Sequence, residues 1–276
     1  MTRILQISDT HLSPAKQHFG ANWPPLRDWI VRQHADLIVH TGDVTVDGAD
    51  QEEDMVYCAG LLRTLNVPVL CVPGNHDVGD PGHAQQPVDD VRIARWRRHF
   101  GNDWWSHDVE GWRLIGIDAM LIGSGLAHEA GQLAWLQATM DAAEGRALAW
   151  FMHRPLFVDE PDEADTGYWS VKPQFRAPLL ALIRAYGVAL VASGHLHKSH
   201  ERVVDGCRYV WCGSSAFVVG PANQPEMPGA KELGAVAYEF HGKSVTLVRT
   251  PIAGLARFFI DDVLHEVYPP HNAAGS

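Results

Sequence analysis

The chain has 276 residues, of which 46% are hydrophobic and 20% are charged, and its formal net charge is −11. This composition is that of an ordinary globular protein with enough residues for one large core. The acidic excess argues against a nucleic-acid polymer as partner, because such binding depends on many Lys and Arg contacts to phosphates.

The sequence also argues against a membrane or oxidising setting. No stretch approaches the roughly 20 apolar residues of a transmembrane helix. The start "MTRILQISDTHLS" lacks the basic leader and apolar run of a signal peptide. The four cysteines have no C-x-x-C spacing, which disfavours a disulfide framework or a thiolate zinc site. We therefore predict no membrane partner and a cytoplasmic location.

In chain order, short apolar runs alternate with amphipathic segments up to about residue 195. Strands are predicted at residues 3–8, 37–43, 69–75, 113–118, 147–153 and 188–195. Helices are predicted at residues 24–35, 50–65, 92–100, 130–144 and 172–187. The alternation indicates an α/β protein in which a largely parallel sheet is buried on both faces.

The pattern changes after residue 200. Strands are predicted at 208–215, 235–240 and 244–250 without helices between them, so we expect a second, more antiparallel sheet packed on the first. The stretch "LARFFIDDVLHEVYPP" is too apolar for a free tail. We therefore predict a domain of residues 1–254 and a C-terminal extension, 255–276, that packs on the domain or at the interface of a homodimer or higher homo-oligomer.

Side chains of the metal-binding type follow five of the predicted strands. They are Asp9 and His11 in "SDTH", Asp43 in "GD", Asn75 and His76 in "GNHD", His153 in "MHRP", and His195 and His197 in "GHLH". Ligands of open α/β sheets bind outside the carboxyl ends of the strands, so these side chains should meet at one rim. Oxygen and imidazole ligands without thiolate favour Mn, Fe, Zn, Ni or Co.

The ordered set D-x-H, G-D, G-N-H-D, H-x-P and G-H-x-H resembles the calcineurin-like metallophosphoesterase superfamily. Within it, "ISDTHLS" and "GDVTVDG" are most similar to the class III cyclic nucleotide phosphodiesterases and glycerophosphodiesterases. The resemblance implies a four-layer αββα sandwich of two packed mixed sheets flanked by helices. It implies one ion held by Asp9, His11 and His197, a second held by Asn75, His153 and His195, Asp43 as the bridge between them, and His76 facing the phosphate.

The implied activity is that of a dinuclear phosphodiesterase. Its cofactors would be two divalent ions, Mn²⁺ and/or Fe²⁺, with Zn²⁺, Co²⁺ or Ni²⁺ as alternatives, and a metal-bridging hydroxide would attack the phosphorus. The predicted substrates are small phosphodiesters such as cyclic nucleotides or glycerophosphodiesters. The alternatives are a phosphomonoesterase, a nucleotide pyrophosphohydrolase or a nuclease of the same fold, and a non-catalytic scaffold.

Individual roles follow from the residue types. Asp43 can share its oxygens between two ions, and His76 can donate to a leaving or phosphoryl oxygen. Asp77 is predicted to support the ligands from behind. Arg154 stands where relatives carry a histidine, and it either contributes to phosphate binding or points outward. His83 lies in a loop that could reach over the site.

Overall fold

The computed structural model describes residues 1–269, so residues 270–276 of the predicted C-terminal extension lie outside the described residues. The strands are β1 Thr2–Ile7, β2 Leu37–His40, β3 Val69–Cys71, β4 Trp105–Val109, β5 Trp112–Ile117, β6 Ala147–Met152, β7 Leu190–Ser193, β8 His200–Val204, β9 Cys207–Trp211, β10 Phe217–Val218, β11 Gly234–His241, β12 Ser244–Pro251 and β13 Phe258–Phe259. The α-helices are α1 Trp23–Gln33, α2 Glu52–Arg63, α3 Asn75–Val78, α4 Asp90–Phe100, α5 Ala127–Asp141, α6 Pro173–Tyr186 and α7 Leu264–Val267. Short 3-10 helices lie at Gln17–Asn22, Ala119–Leu121, Gly167–Trp169 and Ile260–Asp262.

Local sequence explains where the longer helices begin and end. The side chain of Asp89 accepts a hydrogen bond from the Arg92 amide at 2.8 Å and caps the first turn of α4. Helix α6 begins at Pro173, whose fixed φ suits a first turn. It ends at Gly187, which adopts a left-handed φ of 62°.

Two mixed sheets form the centre of the molecule. One has the order β12-β11-β1-β2-β3 and the other has the order β4-β5-β6-β7-β9-β8. The first is parallel from β1 to β3, and the second is parallel from β5 through β6 and β7 to β9. The two mixed sheets with flanking helices confirm the fold class.

The expectation of a separate antiparallel sheet after residue 200 is wrong. Strands β8 and β9 extend one sheet, whereas β11 and β12 extend the other. β11 is almost wholly buried because it lies between β1 and β12, while β12 alternates between partly buried and exposed residues as an edge strand does. β9 and β11 therefore cover edges left open by the earlier βα units, and β8 and β12 pair with these two strands in turn.

The sheets pack on each other through alternate residues of their strands. In β6, Ala149 and Phe151 lie in the cluster between the sheets, whereas Leu148, Trp150 and Met152 join the larger cluster beneath the helices. This alternation follows from the two-residue period of a strand. It produces four layers, with the carboxyl ends of the parallel strands of both sheets on one rim.

The described part of the C-terminal extension, residues 255–269, packs on its own chain. Ile260 and Val267 are buried in a cluster with Phe19 and Phe217, and β13 pairs with β10 through Phe258 and Phe217. This segment lies beside the 3-10 helix Gln17–Asn22. Within residues 1–269, no helix has both the length and the apolar character needed to cross a membrane.

Candidate active site

The loops after β1, β2, β3, β6 and β7 converge at the rim of the two sheets. Three overlapping groups of side chains have potential ligand atoms within 4.8 Å of one another: Asp9, His11 and His197; His11, Asp43 and His76; and Asp43, His153 and His195. Asn75 lies at the start of α3, next to His76. The fold therefore brings together all eight side chains that the strand-end motifs singled out.

The first group contains Asp9, His11 and His197, all buried. Nε2 of His197 lies 3.3 Å from Oδ1 of Asp9 and 3.3 Å from Nε2 of His11. Nε2 of His11 lies 3.9 Å from the same Asp9 oxygen. One oxygen and two imidazole nitrogens thus surround a common point.

Asp43, His153 and His195, called the second group from here on, are centred on His153. Its Nε2 lies 3.2 Å from Oδ2 of Asp43 and 3.2 Å from Nδ1 of His195. The same Asp43 oxygen lies 3.7 Å from Nε2 of His11 in the first group. Asp43 is therefore positioned between the two groups.

Main-chain carbonyls determine the tautomers of three histidines. Nδ1 of His153 donates to the Thr41 carbonyl at 2.7 Å, and Nδ1 of His197 donates to the Phe217 carbonyl at 2.8 Å. Nε2 of His195 donates to the Tyr168 carbonyl at 2.8 Å. Because a carbonyl can only accept, the other nitrogen of each ring, when the ring is neutral, presents its lone pair to the centre, as in metal sites.

Two buried oxygens give a direct test of whether cations fit. Oδ1 of Asp9 and Oδ1 of Asn75 are buried and have no hydrogen-bond partner within the described residues. Burying an acceptor without a partner costs about 1–3 kcal/mol. The orphaned oxygens and the converging imidazoles fit divalent cations with oxygen and nitrogen ligands.

The backbone of the site is strained. Left-handed φ values of 54°, 41°, 51°, 69° and 51° occur at Asp9, His11, Asp43, His195 and His197 respectively. For non-glycine residues this conformation costs roughly 1–2 kcal/mol each. Such strain is typical of functional sites, where it aims side chains inward.

Two glycines provide space around the central carboxylate. A Cβ atom at Gly74 would lie 2.2 Å from Oδ1 of Asp43, and one at Gly42 would lie 2.7 Å from Nδ1 of His153. Gly42 also has a φ of 90°. The glycines of G-D and G-N-H-D are therefore needed next to Asp43.

The ionisable side chains of the site shift one another's pKa values. Burial opposes ionisation of Asp43, but the charges of His153 and His76 outweigh it and hold the pKa of Asp43 well below its usual value. Burial likewise lowers the pKa of His153, but the Asp43 carboxylate outweighs it and raises that pKa to about 9. Burial and the neighbouring His153 lower the pKa of His195 to about 3. The metal-free centre thus holds a proton at the Asp43–His153 pair.

His76 faces the open side of the site. Its backbone N–H donates to Oδ1 of Asp43 at 2.9 Å, and its ring lines the adjacent cavity. Burial is the largest effect on this imidazole and lowers the pKa of His76, while the carboxylates of Asp43 and Asp47 act in the opposite direction. A neutral imidazole keeps one N–H that can donate to an oxygen in the cavity.

Asp77 supports the site from behind, as the sequence predicts. It is fully buried and accepts hydrogen bonds from Gly74, Val44 and Thr45. These bonds connect the loop that carries Asp43 with the turn that carries Asn75.

A cavity of about 1390 Å³ opens beside the centre. Asp80, His83, Arg154 and Tyr168 contribute to its wall, so the loops that follow "GNHD" and "MHRP" both border it. Arg154 is buried, forms an ion pair with Asp80 and lies 5.6 Å from the Tyr168 ring centre. The alternative that Arg154 points outward is wrong.

Three of the four arginines of α4 form ion pairs with acidic side chains, and the fourth, Arg95, donates to the Ala49 carbonyl. Arg92 pairs with Asp50 and Asp89, Arg97 with Asp103, and Arg98 with Glu52. With these partners, the arginines of residues 92–98 do not form a patch that would attract a small anionic substrate.

Sequence reasoning missed two tyrosines. The Tyr168 hydroxyl accepts from Nδ2 of Asn75 at 3.1 Å, and the Tyr268 hydroxyl lies 2.7 Å from Nδ1 of His11. Neither belongs to a recognisable local motif. The one signal in the sequence is their position: Tyr168 lies in a loop that follows a predicted ligand, and Tyr268 lies in the apolar stretch beyond the last one.

The chain is similar in sequence to proteins of known family. A protein of Arcobacter nitrofigilis named probable glycerophosphodiester phosphodiesterase GpdQ is 24% identical over 209 residues, which are 71% of each chain. The serine/threonine-protein phosphatase CPPED1 of Danio rerio is 29% identical over 151 residues, 51% of this chain but only 45% of that protein.

A solved structure shares the fold at low identity. The crystal structure of a dimetal phosphatase from Danio rerio matches with a TM-score of 0.61 and 14% identity, over 90% of this chain and 95% of that one. Residues 2–199 match the family model described as calcineurin-like phosphoesterase. Since that match covers more than half of the sequence and includes all five strand-end motifs, the chain belongs to the calcineurin-like phosphoesterase family.

Proposed function

We propose that this protein is a dinuclear metal-dependent phosphodiesterase that hydrolyses small phosphodiesters, such as glycerophosphodiesters or cyclic nucleotides. The family uses divalent metals, and the chain has candidate groups of metal ligands. The observation that carries the two-ion proposal is the position of Asp43, whose Oδ2 lies 3.2 Å from His153 Nε2 and 3.7 Å from His11 Nε2. One carboxylate can then serve both ligand groups.

The metal set assigned from the sequence is Asp9, His11, Asp43, Asn75, His153, His195 and His197. When bound, two divalent ions lower the pKa of water and neutralise charge at the phosphoryl group. Mn²⁺ and Fe²⁺ are the proposed ions because the donors are oxygen and imidazole without thiolate.

The protein's own groups position the substrate and handle protons. Asn75 offers a carbonyl oxygen that adds no negative charge next to Asp43. His76 presents an N–H to the cavity, where it can donate to a phosphoryl or leaving oxygen. The charge of Arg154 is shared with Asp80, so this arginine binds a phosphate less strongly than a free guanidinium would.

The charges around the cavity favour diesters over monoesters. Acidic side chains of its lining are Asp47, Asp50, Glu53, Asp54 and Asp80, whereas its basic ones are Lys16, Arg154 and Lys172. Lys16 donates to the Val267 carbonyl at 2.6 Å. A monoester dianion needs cations beyond the metals, whereas a diester carries one charge and needs room for two substituents, which this volume provides.

Three further observations support the substrate class and the location. The Arcobacter nitrofigilis relative is named for glycerophosphodiesters. The acidic wall would repel long polyanions, so DNA and RNA are expected to be poor substrates. The four cysteines Cys58, Cys71, Cys207 and Cys212 are buried free thiols, which supports a reducing, cytoplasmic setting.

The test compares two substrates at equal metal loading. Purified protein with Mn²⁺ should hydrolyse bis(p-nitrophenyl) phosphate with a higher kcat/KM than p-nitrophenyl phosphate, and chelation should abolish both activities. Elemental analysis should find two ions per chain. A higher kcat/KM for the monoester would replace the proposal with a phosphomonoesterase, and an active preparation with one ion would remove the dinuclear mechanism.

A further inference from the structure

We infer that residues 255–269, the C-terminal segment, complete one half of the metal centre. In this inference Tyr268 is a positioning residue that holds His11 in the orientation needed to bind a metal ion. It thereby strengthens the binding of the ion by the group of Asp9, His11 and His197. The inference rests on the proposed function, because it assumes that this group binds an ion.

The contact between Tyr268 and His11 fits this role. The Tyr268 hydroxyl lies 2.7 Å from Nδ1 of His11, while Nε2 of the same ring is 3.3 Å from Nε2 of His197. Because Nε2 faces the ligand group, Nδ1 carries the proton and donates to the hydroxyl oxygen. For His153, His195 and His197 a main-chain carbonyl has this function, whereas His11 depends on a side chain 257 positions away.

The Tyr268 ring also contacts His76, the proposed proton donor. The ring centres of Tyr268 and His76 lie 4.4 Å apart with an angle of 33° between their planes. His76 is in turn packed edge-on against His11, with 5.0 Å between ring centres. Tyr268 therefore restricts the orientation of both imidazoles from the cavity side.

The segment is anchored well enough to hold this tyrosine. Val267 is fully buried, and its carbonyl accepts from Lys16 at 2.6 Å. Nε2 of His18 lies 3.1 Å from Oε2 of Glu266. These contacts tie the segment to the N-terminal part of the chain immediately before Tyr268.

The segment also supports the second histidine of the group. Strand β13 pairs with β10, where Phe258 lies opposite Phe217. The Phe217 carbonyl accepts from Nδ1 of His197 at 2.8 Å. Both histidines of the first group are thus held by the C-terminal segment or by the strand paired with it.

The second ligand group has a different tyrosine, which provides a matched comparison. The Tyr168 hydroxyl accepts from Asn75, and the Tyr168 carbonyl accepts from His195. Removing the hydroxyl of Tyr168 should therefore affect the second ion, whereas removing that of Tyr268 should affect the first. Tyr186, whose hydroxyl donates to Asp141 at 2.7 Å far from the centre, serves as the control.

The experiment titrates Mn²⁺ into metal-free full-length protein by calorimetry. We expect two binding events in the unaltered chain and about 10- to 100-fold weaker binding at one of them in Tyr268→Phe, the usual effect of losing an outer partner of a ligand. Tyr168→Phe should weaken the other event, and Tyr186→Phe neither. Repeating Tyr268→Phe in an Asn75→Ala background, which leaves the first group intact, should retain the loss, whereas an Asp9→Ala background should hide it.

The outcomes separate the inference from the proposed function. Two unchanged dissociation constants in Tyr268→Phe overturn the inference alone. So does equal weakening of both events together with a lower Tm of the metal-free chain, because that result describes general destabilisation. Fewer than two ions in the unaltered chain overturn the proposed function, and the inference with it, before any variant is compared.

Discussion

Replacing Asp77 by Asn should weaken the connection between the two loops that carry Asp43 and Asn75, two of the candidate ligands. Oδ1 of Asp77 accepts from the Thr45 amide at 3.0 Å and the Thr45 hydroxyl at 2.6 Å, and Oδ2 accepts from the Val44 amide at 3.2 Å and the Gly74 amide at 2.9 Å. Val44 and Thr45 follow Asp43, and Gly74 precedes Asn75. Asp77 therefore connects both loops through four hydrogen bonds.

The magnitude follows from the acceptors that asparagine lacks. Its single oxygen can replace Oδ1, but its NH₂ group then faces the amides of Val44 and Gly74, which lose their acceptor. A buried donor without a partner costs about 1–3 kcal/mol, so two cost roughly 2–6 kcal/mol. At about 2 °C per kcal/mol for a chain of this size, the Tm should fall by roughly 4–12 °C.

The assay is differential scanning calorimetry of the metal-free chain at pH 8. Burial and the charge of Asp43 raise the pKa of Asp77 to about 7, so at pH 8 the native carboxylate is ionised and all four donors are satisfied. Asp28→Asn is the control, because Asp28 is exposed and bonds to its neighbour Arg27. Such a surface change should stay within about 0.5 kcal/mol. Equal Tm values for Asp77→Asn and the control would refute this account of how the loops are held.

Three further predictions concern the centre and a second buried carboxyl. His76→Ala should retain both ions and lower kcat by roughly 10²–10⁴, less for substrates with good leaving groups, and equal losses across leaving groups would contradict a proton-donating role. Asp43→Ala should lower the metal content measured by elemental analysis, because both ligand groups lose an oxygen; retained stoichiometry would contradict the bridge. Burial and the charge of Asp103 raise the pKa of Asp118 well above its usual value. The folded chain then holds a proton that the unfolded chain releases above about pH 4, so stability should fall as the pH rises toward the folded-state pKa. Asp118→Asn should flatten this dependence in urea unfolding between pH 4 and 8, and an unchanged slope would exclude Asp118 as its source.

The sequence alone was enough to predict where the candidate ligands would meet. Strands β1, β2, β3 and β7 contain apolar β-branched residues, and β6 is an unbroken apolar run, so all five can be located without tertiary information. Parallel strands end at the same edge of a sheet, so the residues that follow β1, β2 and β3 converge, as do those that follow β6 and β7. The packing of the two sheets then brings these two sets together. This is why Asp9, Asp43, Asn75, His153 and His195 could be grouped from order and spacing.

The arrangement of the late strands could not be read in this way. β9 and β11 are both short apolar runs, yet β9 pairs with β7 and β11 with β1. Apolar periodicity shows that a strand has a buried face, but the choice of partner depends on which sheet edge the rest of the fold leaves open. The left-handed φ values of the ligands also result from the assembled loops.

Which side chains hold the candidate ligands was decided by tertiary structure alone. Tyr268 reaches His11 across 257 positions, and Arg154 is directed into the cavity wall by its ion pair with Asp80. Such contacts have no spacing or periodicity in the chain, because they join segments whose proximity exists only after the sheets and the C-terminal segment have packed. The sequence determined the chemistry of the candidate ligands, and the packing determined which groups orient them.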